Sequence, residues 1–106
     1  MTMETSDTDK PQWDVALEAL LKETSRAGDD TLSLDDLRAM ATVHTIRLDD
    51  ILDTLCQLVR HGRWIYEKPH GEPSPPDADM CKLLHANHRL NEEQIGRLGG
   101  RWRPAA

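Results

Sequence analysis

The chain has 106 residues, of which 38% are hydrophobic and 30% charged, and its net charge at pH 7 is −6. This length favours one domain whose core needs no metal or disulfide. No apolar run approaches the roughly 20 residues of a membrane span, and the polar start does not resemble a signal peptide. We therefore expect a cytoplasmic protein that enters no membrane, with a disordered acidic tail over residues 1–9.

The excess of acid is concentrated at the beginning of the chain. Residues 1–42 carry ten acids and four bases, whereas the other 64 residues carry nine of each. This distribution disfavours general wrapping of nucleic acid, because neutralisation of phosphates supplies most non-specific affinity. It leaves room for a local basic patch later in the chain.

A first stripe of apolar side chains predicts a helix from about Lys10 to Ala27. Asp9 is the expected N-cap, because its carboxylate can accept from free backbone N–H groups, and Gly28 follows the end of the helix. The stripe consists of five side chains on one helical face: Trp13, Leu17, Leu20, Leu21 and Thr24.

The second predicted helix, from about Leu34 to Ala41, has the strongest start signal in the chain. Ser33 is the expected N-cap, and Asp36, three residues later, imitates the acid of a capping box. Leu32 and Leu37 are placed to form a hydrophobic staple across this start.

A third apolar stripe predicts a longer helix and then a strand. Thr45 is the expected N-cap, and Gly62 is expected to end the helix. The large and β-branched side chains from Arg63 to Lys68 predict a strand. The stripe consists of six residues at helical spacing: Leu48, Ile51, Leu52, Leu55, Leu58 and Val59.

The core, residues 10–68, is followed by a Pro-rich stretch over residues 69–78 and a C-terminal helical segment over residues 79–106. The prolines exclude regular structure, so this stretch is either a wing-type loop or a linker, and no returning strand is evident after it.

Two short helices and a basic tail are expected in the C-terminal segment. One helix covers about Asp79 to Asn87, and the second begins after Asn91, which pairs with Gln94 in the pattern of a capping box. The second helix is expected to end at Gly99-Gly100, and Arg101–Pro104 forms the tail.

The centre of the chain, Leu32 to Lys68, combines a short capped helix, a turn, and a longer helix that leads into a strand. Ile51, Leu55, Leu58 and Gly62 stand at i, i+4, i+7 and i+11, followed by Trp64-Ile65-Tyr66. In this pattern the centre resembles the winged helix-turn-helix superfamily. The resemblance implies a mostly α fold with a small β component, a winged-helix-like core and short added C-terminal helices.

In DNA-binding members of such folds the recognition helix places its exposed side chains in the major groove. Here the first half of that face carries three carboxylates, which phosphates would repel. The residues expected to contact a protein or nucleic acid are on this helix and the following strand: Arg47, Asp49, Asp50, Asp53, Gln57, Arg60, His61, Arg63 and Lys68.

The tail supplies three further candidate contact residues, Arg101, Trp102 and Arg103. Arginine and aromatic side chains are favoured anchors in interfaces, and a tryptophan between two arginines is difficult to bury.

Candidate chemical sites are few. Cys56 and Cys81 are expected to be reduced thiols. Cys81, His85 and His88 share one helical face and form a weak candidate for zinc, but paired ligands of the C-x-x-C type are absent. No cofactor and no catalytic motif is indicated, so an enzyme is not expected.

Three functional hypotheses remain open at this point. The first is a small regulatory or adaptor protein that acts through protein–protein contacts. The second is a DNA-binding transcriptional regulator that works as a homodimer. The third is a phage or plasmid accessory protein that inhibits a host machine. A fold hosts many functions, so the resemblance alone does not decide among them.

Overall fold

The computed structural model describes residues 13–105, which contain five helices and a two-stranded antiparallel sheet. The predicted fold class, mostly α with a small β component, is confirmed. No helix within these residues is both long and apolar enough to cross a bilayer. The elements in chain order are α1 (Val15–Arg26), α2 (Leu34–His44), α3 (Leu48–Arg60), β1 (Trp64–Glu67), α4 (Ala78–His85), α5 (Glu92–Gly96) and β2 (Arg101–Pro104).

Helix α1 begins later than predicted. Asp14 has an extended backbone, and its carboxylate accepts from the N–H of Leu17, which makes it the N-cap. The predicted cap Asp9 and the predicted first helical residue Lys10 lie outside the described residues.

The capping box at the start of α2 is confirmed. The Ser33 hydroxyl accepts from the N–H of Asp36 at 3.2 Å, and the Asp36 carboxylate accepts from the N–H of Ser33 at 2.9 Å. Helix α2 continues to His44 rather than ending at Ala41.

Thr45 ends α2 and does not cap α3, so that prediction is wrong. Its backbone is left-handed, with φ of 54°, and its N–H donates to the carbonyl of Ala41. Arg47 takes the N-cap position of α3 without a side-chain hydrogen bond. The left-handed backbone of Thr45 closes the last turn of α2, so a different residue takes the N-cap position of α3.

The predicted apolar stripe of α3 forms the centre of the core. Ile51, Leu52, Leu55 and Leu58 are each 0% exposed. Gly62 ends the helix region with φ of 74°, a conformation that glycine adopts without steric cost.

The C-terminal residues form a strand instead of a tail, which corrects the sequence-based expectation. Strand β2 pairs antiparallel with β1, so that Trp102 lies opposite Tyr66. On its other side, the backbone of Trp102 exchanges hydrogen bonds of 2.8 and 2.9 Å with Leu32. Trp102 is 0% exposed because strand alternation turns it inward while its arginine neighbours point outward.

The Pro-rich stretch folds back along the outer side of β1. The N–H of Lys68 donates to the carbonyl of Glu72 at 2.8 Å, and the N–H of Ser74 donates to the carbonyl of Tyr66 at 3.0 Å. The chain then enters α4, whose N-cap Asp77 accepts from two backbone N–H groups.

The short helix α5 begins as predicted and ends early. Asn91 and Gln94 form the expected capping box. The α-helix stops at Gly96, and a tighter turn continues to Gly99, whose N–H donates to the carbonyl of Gly96.

Cys56 of α3 and Cys81 of α4 are joined in a disulfide, so the expectation of two reduced thiols is wrong. Their Cα atoms are 5.9 Å apart, within the range that disulfides span. The two cysteines lie 25 residues apart in the sequence, and only the packing of α4 on α3 brings them together.

Candidate functional site

A groove with a volume of about 610 Å³ runs between α1 and α3. We call it the acidic groove because aspartates are its only charged lining side chains within the described part of the chain. Its apolar floor is formed by four side chains from α1, the residues before it, and the turn before α3: Trp13, Leu17, Leu20 and Ile46.

Three carboxylates stand at the edges of the acidic groove: Asp14, Asp50 and Asp53. Asp50 and Asp53 are three residues apart on α3, so they lie on one face of the helix. Asp14 faces them from the start of α1, where its charge also stabilises the positive end of that helix. Apolar floor and carboxylate edge together suit a ligand that is both apolar and basic.

The third predicted aspartate of α3 does not belong to this groove. Asp49 has a side chain only 15% exposed, and its carboxylate lies 3.9 Å from the guanidinium of Arg47. The predicted acidic face is therefore narrower than expected, because neighbouring positions on a helix point in different directions.

Asp53 also lies against α4. Its Oδ1 is buried without a hydrogen-bond partner among the described residues, and it is 3.7 Å from Nδ1 of His85. Gln57 Nε2 donates to the same histidine nitrogen at 3.2 Å. Gln57 is only 8% exposed, so its amide positions His85 and is not available on the helix surface to contact a partner.

An ion pair holds α1 to the residue that precedes β1. The carboxylate of Glu18, with a side chain 7% exposed, accepts from Arg63 Nε at 2.8 Å and from Trp13 Nε1 at 3.1 Å. Burial raises the pKa of Glu18, but the hydrogen bonds from Arg63 and Trp13 and the charges of Arg63 and Lys22 outweigh it, so its pKa is lowered overall.

Two further side chains pack against the ring of Trp13, which lines the acidic groove. The Arg63 guanidinium lies 5.3 Å from the centre of the Trp13 ring. The centre of the His61 ring lies 5.1 Å from the centre of the Trp13 ring, and the two rings are tilted relative to each other. Arg63 and His61 are both predicted contact residues, and in the structure both side chains pack against Trp13.

The predicted basic residues do not form one surface. Arg103 donates to the carboxylate of Glu67 at 3.0 Å, and Arg101 donates to the hydroxyl of Thr31 at 3.2 Å. Arg60 and Lys68 are exposed. Arg60 and Arg63 open onto different clefts, because the turn at Gly62 separates them.

Four basic side chains do share a third cleft of about 620 Å³: Lys22, Arg26, Arg63 and Arg103. Acids balance most of this charge. Glu18 lies within 4.0 Å of both Lys22 and Arg63, Glu67 pairs with Arg103, and Asp30 lines the same cleft. The cleft is therefore a network of internal ion pairs rather than a strongly positive surface.

Two predicted sites lose their basis in the structure. Trp102 is fully buried and offers no surface for contact. The weak zinc candidate fails because Cys81 is in the disulfide and α4 ends at His85, which leaves His88 beyond the helix. Within residues 13–105 no three His, Cys, Asp or Glu side chains are grouped in a way that suits a metal.

The apolar floor of the acidic groove was the part that sequence reasoning missed. Trp13 and Leu20 were assigned to the core-facing stripe of the first helix, and both are only half-buried. Ile46 lies in the turn before α3, where no periodic pattern marks it.

Comparisons with protein-family models, curated proteins and solved structures find no match to this chain.

Proposed function

We propose that this chain is a small, non-catalytic, winged-helix-type regulatory or adaptor protein that binds a basic segment of a partner protein in the acidic groove. The observation that carries the proposal is the pairing of an apolar floor with an edge of three carboxylates. Apolar side chains of a partner would fill the floor, and its lysines or arginines would meet the aspartates at the edge.

The exposure of the groove supports binding of a protein rather than catalysis. Asp50 is exposed and Asp53 half-buried, so their charges can steer a basic partner from solution.

The winged-helix part of the proposal has support in the order of the elements. Helix α3 ends at Arg60 and leads through Gly62 into β1. The antiparallel neighbour of β1 is β2, a returning strand that follows only after two further helices. Leu32, in the turn before α2, extends this small sheet through its bridge to Trp102.

DNA binding by a homodimer has less support from the surface. Asp50 and Asp53 occupy the exposed side of α3, where a recognition helix would approach phosphates. Arg63 and Arg103, which would have to hold the backbone, are already paired with acids.

We also propose a cytoplasmic location, and the Cys56–Cys81 disulfide is the observation that weighs against it. Disulfides persist in oxidising compartments and are rare where glutathione keeps thiols reduced. Acid quenching of intact host cells, followed by alkylation of thiols under denaturing conditions, tests the location, because Cys56 is only 4% exposed in the folded protein. Alkylated Cys56 and Cys81 are expected for a cytoplasmic protein, and complete protection of both by the disulfide would contradict that location.

The binding proposal is tested by panning a random peptide display library on the purified chain. Peptides rich in lysine or arginine with one or two large apolar residues are expected to be enriched. Their affinity, measured by fluorescence anisotropy, is expected to fall at least about tenfold in Asp50→Lys, because one attraction becomes a repulsion.

Glu93→Lys is the matched control, since Glu93 is an exposed acid on α5 outside the groove. It makes the same change in net charge and is expected to leave the affinity unchanged. Equal loss in both variants, or no enrichment of basic peptides, would contradict the proposal. A salt-dependent anisotropy shift of labelled duplex DNA near physiological ionic strength would favour the DNA-binding alternative instead.

A further inference from the structure

A second and larger groove, with a volume of about 880 Å³, lies between α3 and α4. The end of α3 forms one wall with Val59 and Arg60, and α4 forms the opposite wall with Lys82 and His85. Strand β1 and the Pro-rich stretch, represented by Ile65 and Pro75, complete it. We call it the basic groove because its charged lining side chains are basic within the described part of the chain.

Within the described part of the chain, three basic side chains line the groove, Arg60, Lys82 and His85, and no carboxylate does. This is unexpected by composition, because the chain has nineteen acids against thirteen lysines and arginines. Asp53 lies behind His85, 3.7 Å from its Nδ1, but it opens onto the acidic groove.

The three basic side chains at the rim of the basic groove are exposed to solvent. Arg60 and Lys82 are exposed, and the His85 side chain is 64% exposed. Such charges suit carboxylates that remain partly hydrated, as at the rim of a protein interface. A small anionic ligand would instead need a buried polar anchor for its charged group, and these three exposed side chains do not supply one.

The lining between these three side chains is largely apolar and is held in place. Val59 and Ile65 are half-buried, so each still presents surface to the groove, and Pro73 and Pro75 are exposed. The Cys56–Cys81 disulfide ties α3 to α4 along the groove. Its walls are therefore ordered before a ligand arrives, which lowers the entropic cost of binding.

We propose that the basic groove binds an acidic peptide segment of a partner protein, with apolar side chains seated between α3 and α4 and carboxylates paired to Arg60 and Lys82. This inference does not rest on the proposed function, because the described residues that line the two grooves differ in every case except Gln57. One chain therefore presents two neighbouring grooves of opposite charge along a single helix.

The experiment again starts from a random peptide display library panned on the chain in its oxidised form. A class of peptides rich in aspartate or glutamate, with large apolar residues, is expected beside any basic class. Its affinity is expected to fall at least about tenfold in the double variant Arg60→Glu/Lys82→Glu, since two attractions become repulsions.

The matched control is Arg89→Glu/Arg97→Glu, which makes the same change in net charge at exposed positions outside the basic groove. It is expected to leave the affinity for the acidic peptides unchanged. Asp50→Lys is likewise expected to spare them, so failure of the acidic-groove proposal and failure of this one give different results.

Amide chemical shifts locate the peptide without any substitution. Titration of the acidic peptide into ¹⁵N-labelled protein is expected to shift the signals of Val59, Ile65 and Lys82 and to leave those of Ala16 and Leu20 in place. Shifts centred on Arg26 and Arg103 would overturn the proposal. The absence of acidic peptides after panning would also overturn the proposal. It would likewise be overturned if duplex DNA or a fatty-acid anion displaced a bound peptide more effectively than acidic peptides do.

Discussion

Reduction of the Cys56–Cys81 disulfide tests how α4 is held to the rest of the molecule. The bond closes a loop of 25 residues that contains β1, the Pro-rich stretch and the start of α4. Opening it returns conformational freedom mainly to the unfolded chain, because the native packing of α4 on α3 can persist without the bond.

The size of the effect follows from the loop length. For a loop of 25 residues, the chain-entropy relation gives a stabilisation of about 3.5 kcal/mol at room temperature. Small domains are stable by about 5–15 kcal/mol in total, so loss of the bond removes a large fraction of the stability.

Urea denaturation of the oxidised and reduced protein measures this difference. The indole rings of Trp64 and Trp102 are 1% and 0% exposed, so tryptophan fluorescence reports their transfer to water on unfolding. Reduced wild-type protein keeps both sulfur atoms in place, which separates loss of the bond from loss of packing. In Cys56→Ser/Cys81→Ser, addition of a dithiol reductant is expected to change nothing.

Two results would refute this reasoning. If the intact mass under non-reducing conditions matches two free thiols, the bond does not form in solution. If the bond forms but reduction leaves the urea midpoint unchanged, then the 25-residue loop does not limit the freedom of the unfolded chain.

Three further predictions concern the core, the sheet and the ion pair. Leu55→Ala is expected to lower the free energy of unfolding by about 2–5 kcal/mol in urea denaturation, because Leu55 is 0% exposed; a negligible effect would contradict its place in the core. Gly100→Ala is expected to lower the melting temperature, at a cost of about 1–3 kcal/mol, because a Cβ there would collide with the carbonyl of Glu67. In Gly96→Ala, a control with open space around the added Cβ, the melting temperature should not fall. The Glu18 pKa is lowered in the folded state, so its contribution is complete above the ordinary value of 4.5 and is lost as the pH falls through the folded pKa. Stability measured against pH is therefore expected to fall more steeply below 4.5 in the wild type than in Glu18→Gln, and equal slopes would count against the ion pair with Arg63.

The helical segments, and the starts of α2 and α5, were predictable from the sequence because capping and periodicity are local. Ser33 with Asp36, and Asn91 with Gln94, form their capping boxes within four consecutive residues. The spacing of the apolar residues along α3 likewise depends only on the geometry of one helix. Thr45 shows the limit of such signals, because a hydroxyl residue suits both the end of one helix and the start of the next.

The candidate site was only partly predictable. Asp50 and Asp53 were recognised from their position on the exposed face of α3. The apolar floor of the acidic groove, which accompanies these carboxylates, comes from α1 and from Ile46. It exists only where α1 and α3 meet. The basic groove likewise joins Arg60 of α3 to Lys82 of α4, two residues with no relation in the sequence.

By itself, the sequence determined the helical segments, the strand after Gly62, and the acidic character of α3, because each depends on residues close together in the chain. The tertiary structure alone decided that Trp102 enters the core as part of β2, that Cys56 meets Cys81, and which charges are paired. Those outcomes depend on contacts between distant segments, and burial of Trp102 becomes favourable only when β1 and Leu32 supply backbone partners on both sides of its strand.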